Sequence, residues 1–233
     1  MERTEKMKRN PQKGIGIGLG LLAAFLLWTV LILCVDVRPV GQQGTDVGFA
    51  ALNVWFHGLT GVHLSLYDLT DKLELLTFVV CLAFGLLGLI QMIRRRSLKR
   101  VDPDLLLLGA YYIVVLFIYL IFDKIPINYR PIPIDGVMET SYPSSTTLLV
   151  LSVMPTLKFQ IDRRVGGKTI RKVTTVFVIL FSAFIVLARL ISGVHWLTDI
   201  LGSVILSAVL YVLYTSLVAL LDQRRAGAGF AAF

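Results

Sequence analysis

VTTVFVILFSAFIVLARLISGVHWLTDILGSVILSAVLYVLYTSLVALL, residues 173–221, decides the architecture. Two apolar runs, 173–190 and 197–221, flank a short turn that carries Arg189, His195 and Asp199. About 20 apolar residues cross roughly 30 Å of hydrocarbon, so each run reads as a membrane span. Working outward along the chain, further runs occupy 15–35, 73–93, 105–122 and 144–157, the last of them short with Pro155 near its inner end. The reading is an all-α polytopic membrane protein of six transmembrane helices. Of the 233 residues, 56% are hydrophobic, and the mean hydropathy is +0.76, above the usual apolar share of a soluble domain. The first run follows a basic stretch but is long, and Cys34-Val35-Asp36 makes a poor cleavage site, so a retained helix is expected.

The net charge of +8 points to membrane orientation rather than to nucleic acid, because the basic residues sit in short blocks between the apolar runs. Arg3, Lys6, Lys8, Arg9 and Lys13 precede the first span. Arg94 to Arg96, Lys99 and Arg100 follow the second. Lys158, Arg163, Arg164, Lys168, Arg171 and Lys172 follow the fourth, and Arg224 and Arg225 follow the sixth. These segments alternate to one side, which places both termini in the cytoplasm and the loops 36–72, 123–143 and 190–196 outside. The expected organisation is a cytoplasmic basic tail (1–14), a six-helix membrane domain (15–221) and a second cytoplasmic tail (222–233), in a plasma membrane. Asp46 to His57 in the first outer loop suits an interfacial helix, with Trp55 and Phe56 near the headgroups. Cys34 and Cys81 both fall in apolar runs, so neither a disulfide framework nor a metal site is expected.

The outer side carries few cations, and three of them gather near the chain's polar motifs. Lys124 and Arg130 lie in DKIPINYRPIP, and Arg189 lies near the outer end of the fifth span. Two forked guanidiniums and an ammonium suit a tetrahedral oxyanion. SYPSSTTLL, residues 141–149, reads as a helix entry whose first N–H groups lack intrahelical partners and favour an anion. His195 and Asp199 are four apart and share a helix face. A carboxylate that accepts from one imidazole nitrogen fixes the tautomer and leaves the other free to attack.

Arg189, five residues, His195, three residues and Asp199 resemble the third motif of the type 2 phosphatidic acid phosphatase superfamily, which also includes vanadium haloperoxidases. Pro143-Ser144 stands where that superfamily's second motif begins, and Lys124 with Arg130-Pro131 stands where its first lies. The resemblance spans about residues 70–221. It implies an active site at the outer membrane face, with dephosphorylation of a phospholipid or polyprenyl (di)phosphate through a phosphohistidine. His195 is then the nucleophile and Asp199 its orienting group. Lys124, Arg130, Arg189, Ser144 and the amide of Ser145 hold the phosphoryl oxygens, and no metal or cofactor takes part.

Three positions depart from the pattern. Five residues rather than six separate Lys124 from Arg130, and Ala188 replaces a serine. Thr146 stands in place of the histidine that serves as the superfamily's general acid. A threonine hydroxyl does not titrate near neutrality, and general acid catalysis is worth about 10²–10⁴-fold. A lipid diphosphate, whose leaving phosphate needs little protonation, is therefore the expected preference over a monoester. His57 or His63 from the first outer loop is a rival source of the proton. A catalytically silent relative that binds lipid phosphate, and a phosphotransferase, are the alternative functions.

Overall fold

Seven α-helices form among the described residues, two of them opening on a proline. The computed structural model describes residues 10–230, with side chains through Gly227. The expected basic residues Arg3, Lys6, Lys8 and Arg9 lie outside the described residues. Helix α1 (Pro11–Cys34) opens on Asn10, whose side chain accepts from the backbone N–H of Gln12 at 3.1 Å and of Lys13 at 3.4 Å. Pro11 takes the first helical position, where a missing N–H costs nothing. Helix α2 (Ala50–Thr60) is short, α3 (Leu64–Arg95) is long, and α4 (Pro103–Lys124) again begins on a proline. Helices α5 (Ser145–Arg164), α6 (Lys168–Ile191) and α7 (Leu197–Phe230) complete the chain.

Among the described residues, α1, α3, α4, α6 and α7 are long and apolar enough to cross a membrane. Their outward faces carry exposed large apolar side chains such as Leu82, Ile113 and Leu180. Helix α5 differs: it packs against α3, α4, α6 and α7, and it buries ten of its twenty residues, Thr146 to Gln160. It is the central post of the bundle. Polar contacts tie it to its neighbours. Tyr111 on α4 donates to the Ser152 carbonyl at 2.9 Å, and Gln160 donates to Tyr214 on α7 at 2.7 Å.

Helix α1 lies along α7, where its glycines allow close approach. A Cβ at Gly18 would fall 2.4 Å from Leu213 Cδ2, the small-residue contact that membrane helices favour. Helix α3 starts at Leu64 rather than at the expected Leu73. Asp68, Asp71 and Lys72 interrupt the apolar run there but not the helix, because α3 turns part of its polar face inward toward α5 and α6. The expected interfacial helix is α2, with Trp55 62% exposed. Asn53 on its inner side donates to Thr198 Oγ1 at 3.0 Å and fixes α2 to the start of α7.

The loops 35–49, 125–144 and 192–196 meet at one end of the bundle. Gln42 Nε2 donates to the Arg130 carbonyl at 2.8 Å. Trp28 Nε1 donates to the Thr198 carbonyl at 3.2 Å, and the His63 N–H donates to the Ser192 carbonyl at 2.9 Å. At the opposite end, Arg163 pairs with Asp222 at 2.8 Å and with Asp104 at 3.2 Å, and Arg164 pairs with Asp104 at 2.8 Å.

Candidate active site

Helix α6 delivers Arg189 to the loop end in its last turn, and the side chain is almost wholly enclosed at 1% exposure. The loop between α4 and α5 delivers Arg130. Its backbone N–H donates to the Glu139 carbonyl at 3.1 Å, which pins the loop against itself. Both guanidiniums lie over the ring of Tyr67 on α3, Arg189 at 4.6 Å and Arg130 at 5.4 Å from the centroid. The aromatic face offsets part of the cost of burying two like charges together.

Outer partners hold only one edge of each fork. Arg130 Nη2 pairs with Glu139 at 2.9 Å, and Arg189 Nη2 pairs with Asp71 at 3.1 Å. Arg189 Nη2 also donates to the Thr146 hydroxyl, which donates to Glu74. Nε and Nη1 of Arg130, Nε and Nη1 of Arg189, and Nε2 of His195 are buried without a hydrogen-bond partner. Buried polar atoms are ordinarily satisfied, so five such nitrogens, four guanidinium donors and one imidazole nitrogen, call for a ligand.

His195 sits in the turn between α6 and α7. Its Nδ1 faces the Ser141 carbonyl at 3.1 Å and the Ser141 hydroxyl at 3.3 Å. A carbonyl can only accept, so Nδ1 carries the proton and Nε2 presents its lone pair. Burial, and then the guanidiniums of Arg130 and Arg189, hold the imidazole well below the ordinary histidine range, which keeps it neutral. Gly193 makes this turn possible. Its φ is +71°, and a Cβ there would fall 2.0 Å from the Gly61 carbonyl oxygen.

Asp199 lies 4.0 Å from His195 Nδ1, beyond a direct hydrogen bond. The expected carboxylate–imidazole contact is replaced because other donors occupy the carboxylate. The Trp196 N–H reaches Oδ2 at 2.9 Å and Asn128 Nδ2 reaches Oδ1 at 3.1 Å. The Ser141 hydroxyl also donates to Oδ2, so Ser141 bridges the carboxylate to the ring.

A cavity of about 380 Å³ opens at the loop end, lined by Arg130, Ser141, Ser145 and His195 among others. Lys124 is at its rim, but its side chain is 81% exposed and its ammonium pairs with Asp123 at 2.9 Å. It stands apart from the buried donors, because α4 ends there and releases the side chain outward. Ser145 lines the cavity at the first turn of α5. Ser144 is buried behind it, with its hydroxyl donating to Thr147 Oγ1 at 3.1 Å. His57 and His63 are both engaged elsewhere, their Nε2 atoms lying 3.0 Å from the Gly193 carbonyl and 2.9 Å from the Thr60 carbonyl.

Sequence reasoning missed Tyr67, Asp71, Glu74, Asn128, Glu139 and Ser141. A signal existed for the first three. Their spacing puts them on one helix face, and Glu74 falls inside an apolar run, where a carboxyl needs a task or a partner. Asn128, Glu139 and Ser141 are brought in by an irregular loop that has no periodicity to read.

Two polar forks and a neutral imidazole with an available lone pair are equipped to bind a phosphoryl group and attack it. Among the described residues, no cluster of three or more histidine, cysteine, aspartate or glutamate side chains could hold a metal ion. The chain is similar to the crystal structure of a transmembrane PAP2-type phosphatidylglycerolphosphate phosphatase from Bacillus subtilis, with a TM-score of 0.56 and 15% identity over 86% of this chain and 94% of that one. No curated protein matches the chain. The sequence profile of the PAP2 superfamily matches residues 76–222, which hold Arg130, Arg189, His195 and Asp199. The chain is a multi-pass membrane protein that belongs to the PAP2 superfamily.

Proposed function

We propose that this protein is an integral membrane lipid phosphatase that hydrolyses a phospholipid or polyprenyl (di)phosphate through a phosphohistidine on His195. The observation that carries the reading is the set of five buried, unpartnered nitrogens on Arg130, Arg189 and His195. Nε2 of His195 attacks phosphorus while the free edges of Arg130 and Arg189 take the equatorial oxygens. The two forks stabilise the charge that spreads over those oxygens in the transition state, the main contribution a protein makes to phosphoryl transfer. The Ser145 amide, at the start of α5, adds a donor from the cavity wall. Asp199 orients the imidazole through Ser141, and Lys124 meets the headgroup at the rim. Water then attacks the phosphohistidine and frees the imidazole.

The similarity of the fold to a membrane phosphatidylglycerolphosphate phosphatase supports a lipid substrate. The bundle spans a plasma membrane six times, with α5 shielded from lipid as the sixth span, both termini in the cytoplasm and the site at the outer face. The basic character of the loops 94–100 and 158–172 supports that orientation.

Purified protein in detergent is expected to release phosphate from a lipid phosphate, and His195→Ala to abolish release. Acid-labile, base-stable phosphate on the wild-type chain after rapid quenching identifies the intermediate. Lipid binding without release would make the protein a silent binder, and transfer to an added acceptor in preference to water would make it a phosphotransferase.

A further inference from the structure

We propose that Glu74 supplies the proton for the leaving group, passed through the hydroxyl of Thr146. The inference rests on the phosphatase reading above. It starts from the bonding around one hydroxyl. Arg189 is always protonated and can only donate, so the Thr146 oxygen must accept from Nη2. The hydroxyl proton is therefore aimed elsewhere: it goes to Glu74 while that carboxyl is ionised, and a protonated Glu74 donates to the Thr146 oxygen instead and turns the hydroxyl toward the phosphoryl group. The same guanidinium that would hold the phosphoryl group by Nε and Nη1 holds this hydroxyl by Nη2. Thr146 is thereby joined to the proposed phosphoryl site through a single guanidinium.

The other titratable groups nearby are committed. Asp71 is 59% exposed on its side chain and pairs with Arg189 at 3.1 Å. Glu139 pairs with Arg130 at 2.9 Å, and Asp123 pairs with Lys124 at 2.9 Å. Asp199 accepts from three donors behind the imidazole. His57 and His63 have ring nitrogens on backbone carbonyls. Glu74 differs from all of these. Its side chain is 15% exposed, its hydrogen-bond partner is a hydroxyl, and its ion pair with Arg189 Nη2 is long, at 4.0 Å. The groups that face it are Asp71 on its own helix, Tyr119 on α4, Thr146 on α5 and Arg189 on α6.

The Nε2–P bond forms and the bond from phosphorus to the leaving oxygen breaks. That oxygen takes the Thr146 proton, and the Thr146 oxygen takes the Glu74 proton. Glu74 becomes a carboxylate that faces Arg189. In the second half, the attacking water gives its proton back along the same path, and Glu74 is neutral again. A carboxyl here removes the reason to expect a preference for diphosphates, because an alkoxide leaving group is also served.

The test is leaving-group dependence. Glu74→Gln is assayed on a lipid phosphate monoester, whose leaving group is strongly basic, and on 4-nitrophenyl phosphate, whose leaving group needs little protonation. A loss of about 10²–10⁴-fold on the monoester is expected, with a loss below about tenfold on the aryl ester. The alkaline limb of the monoester pH profile should disappear. Glu74→Asp should restore part of the monoester activity, and Thr146→Val, which keeps the carboxyl, should reproduce the loss. Equal losses on both substrates in Glu74→Gln, with an unchanged pH profile, would overturn the inference while leaving His195-dependent turnover and the phosphatase reading intact. Wild-type protein that releases no phosphate from either substrate would overturn both.

Discussion

His195 and Asp199 are one helical turn apart, yet the imidazole and the carboxylate do not touch, and the Ser141 hydroxyl stands between them. The proposed nucleophile is thus oriented from the loop before α5 rather than by Asp199 directly. Ser141→Ala keeps the carbonyl that binds Nδ1 but removes the hydroxyl that donates to Asp199. A hydrogen bond to a charged group is worth about 1.5–3 kcal/mol, so turnover should fall about 10–100-fold. The Michaelis constant should barely move. Steady-state phosphate release by the variant checks this, and an unchanged rate would make the bridge irrelevant to catalysis.

The acid limb of activity should lie below the usual histidine range. Burial, Arg130 and Arg189 all disfavour the imidazolium of His195. A depressed pKa leaves Nε2 neutral and nucleophilic as the pH falls through 6.5, the ordinary value, and protonation removes the lone pair only further down. Arg189→Gln should move the titration upward, toward that value. The chain has three histidines, so NMR of histidine-labelled protein in detergent resolves the titration directly. An imidazole that titrates at 6.5 or above in the wild type would contradict the reading.

Tyr67 should matter for its ring and not for its hydroxyl. Tyr67→Phe keeps the face beneath Arg130 and Arg189, and inhibition by vanadate or phosphate should be unchanged. Tyr67→Ala removes contacts worth about 0.5–2 kcal/mol and frees both guanidiniums to turn. Oxyanion inhibition should weaken about tenfold or more, as read by titration of the residual activity.

Gly193→Ala should damage stability and activity together. Its φ of +71° and the 2.0 Å approach to the Gly61 carbonyl leave no room for a methyl group. Backbone strain of this kind costs about 1–3 kcal/mol, before any shift of the adjacent His195. A melting curve in detergent should show a lower Tm, and phosphate release should fall. A variant with wild-type Tm would mean that the loop at Gly61 yields freely.

Most of the bundle was legible because hydrocarbon imposes a length on every span. The runs beginning near Ile15, Leu105 and Leu197 lie within α1, α4 and α7. Helix α3 was read nine residues short, from Leu73 instead of Leu64, because hydropathy averages over faces and Asp68, Asp71 and Lys72 dilute the window. At the site, Arg189, His195 and Asp199 have spacing on one helix–turn–helix, so their neighbourhood could be read in one dimension. Arg130 and Arg189 meet through Tyr67, a tertiary contact with no sequence period. Lys124 shares their charge and their side of the membrane in the sequence, but neither property fixes how deeply a side chain is buried. Its side chain stays at the exposed rim of the cavity, paired with Asp123.

The stretch that matches the superfamily begins at residue 76, on the third helix and past its first three turns. Tyr67, Asp71 and Glu74 all precede that boundary, as does Gln42, which tethers the backbone of Arg130. The matched segment therefore carries His195 and both forks, while the platform under the forks comes from outside it. Grafting residues 76–222 onto a foreign leading segment should yield a chain that inserts and folds yet grips oxyanions poorly. The working unit of this protein is larger than the segment by which its kinship is read.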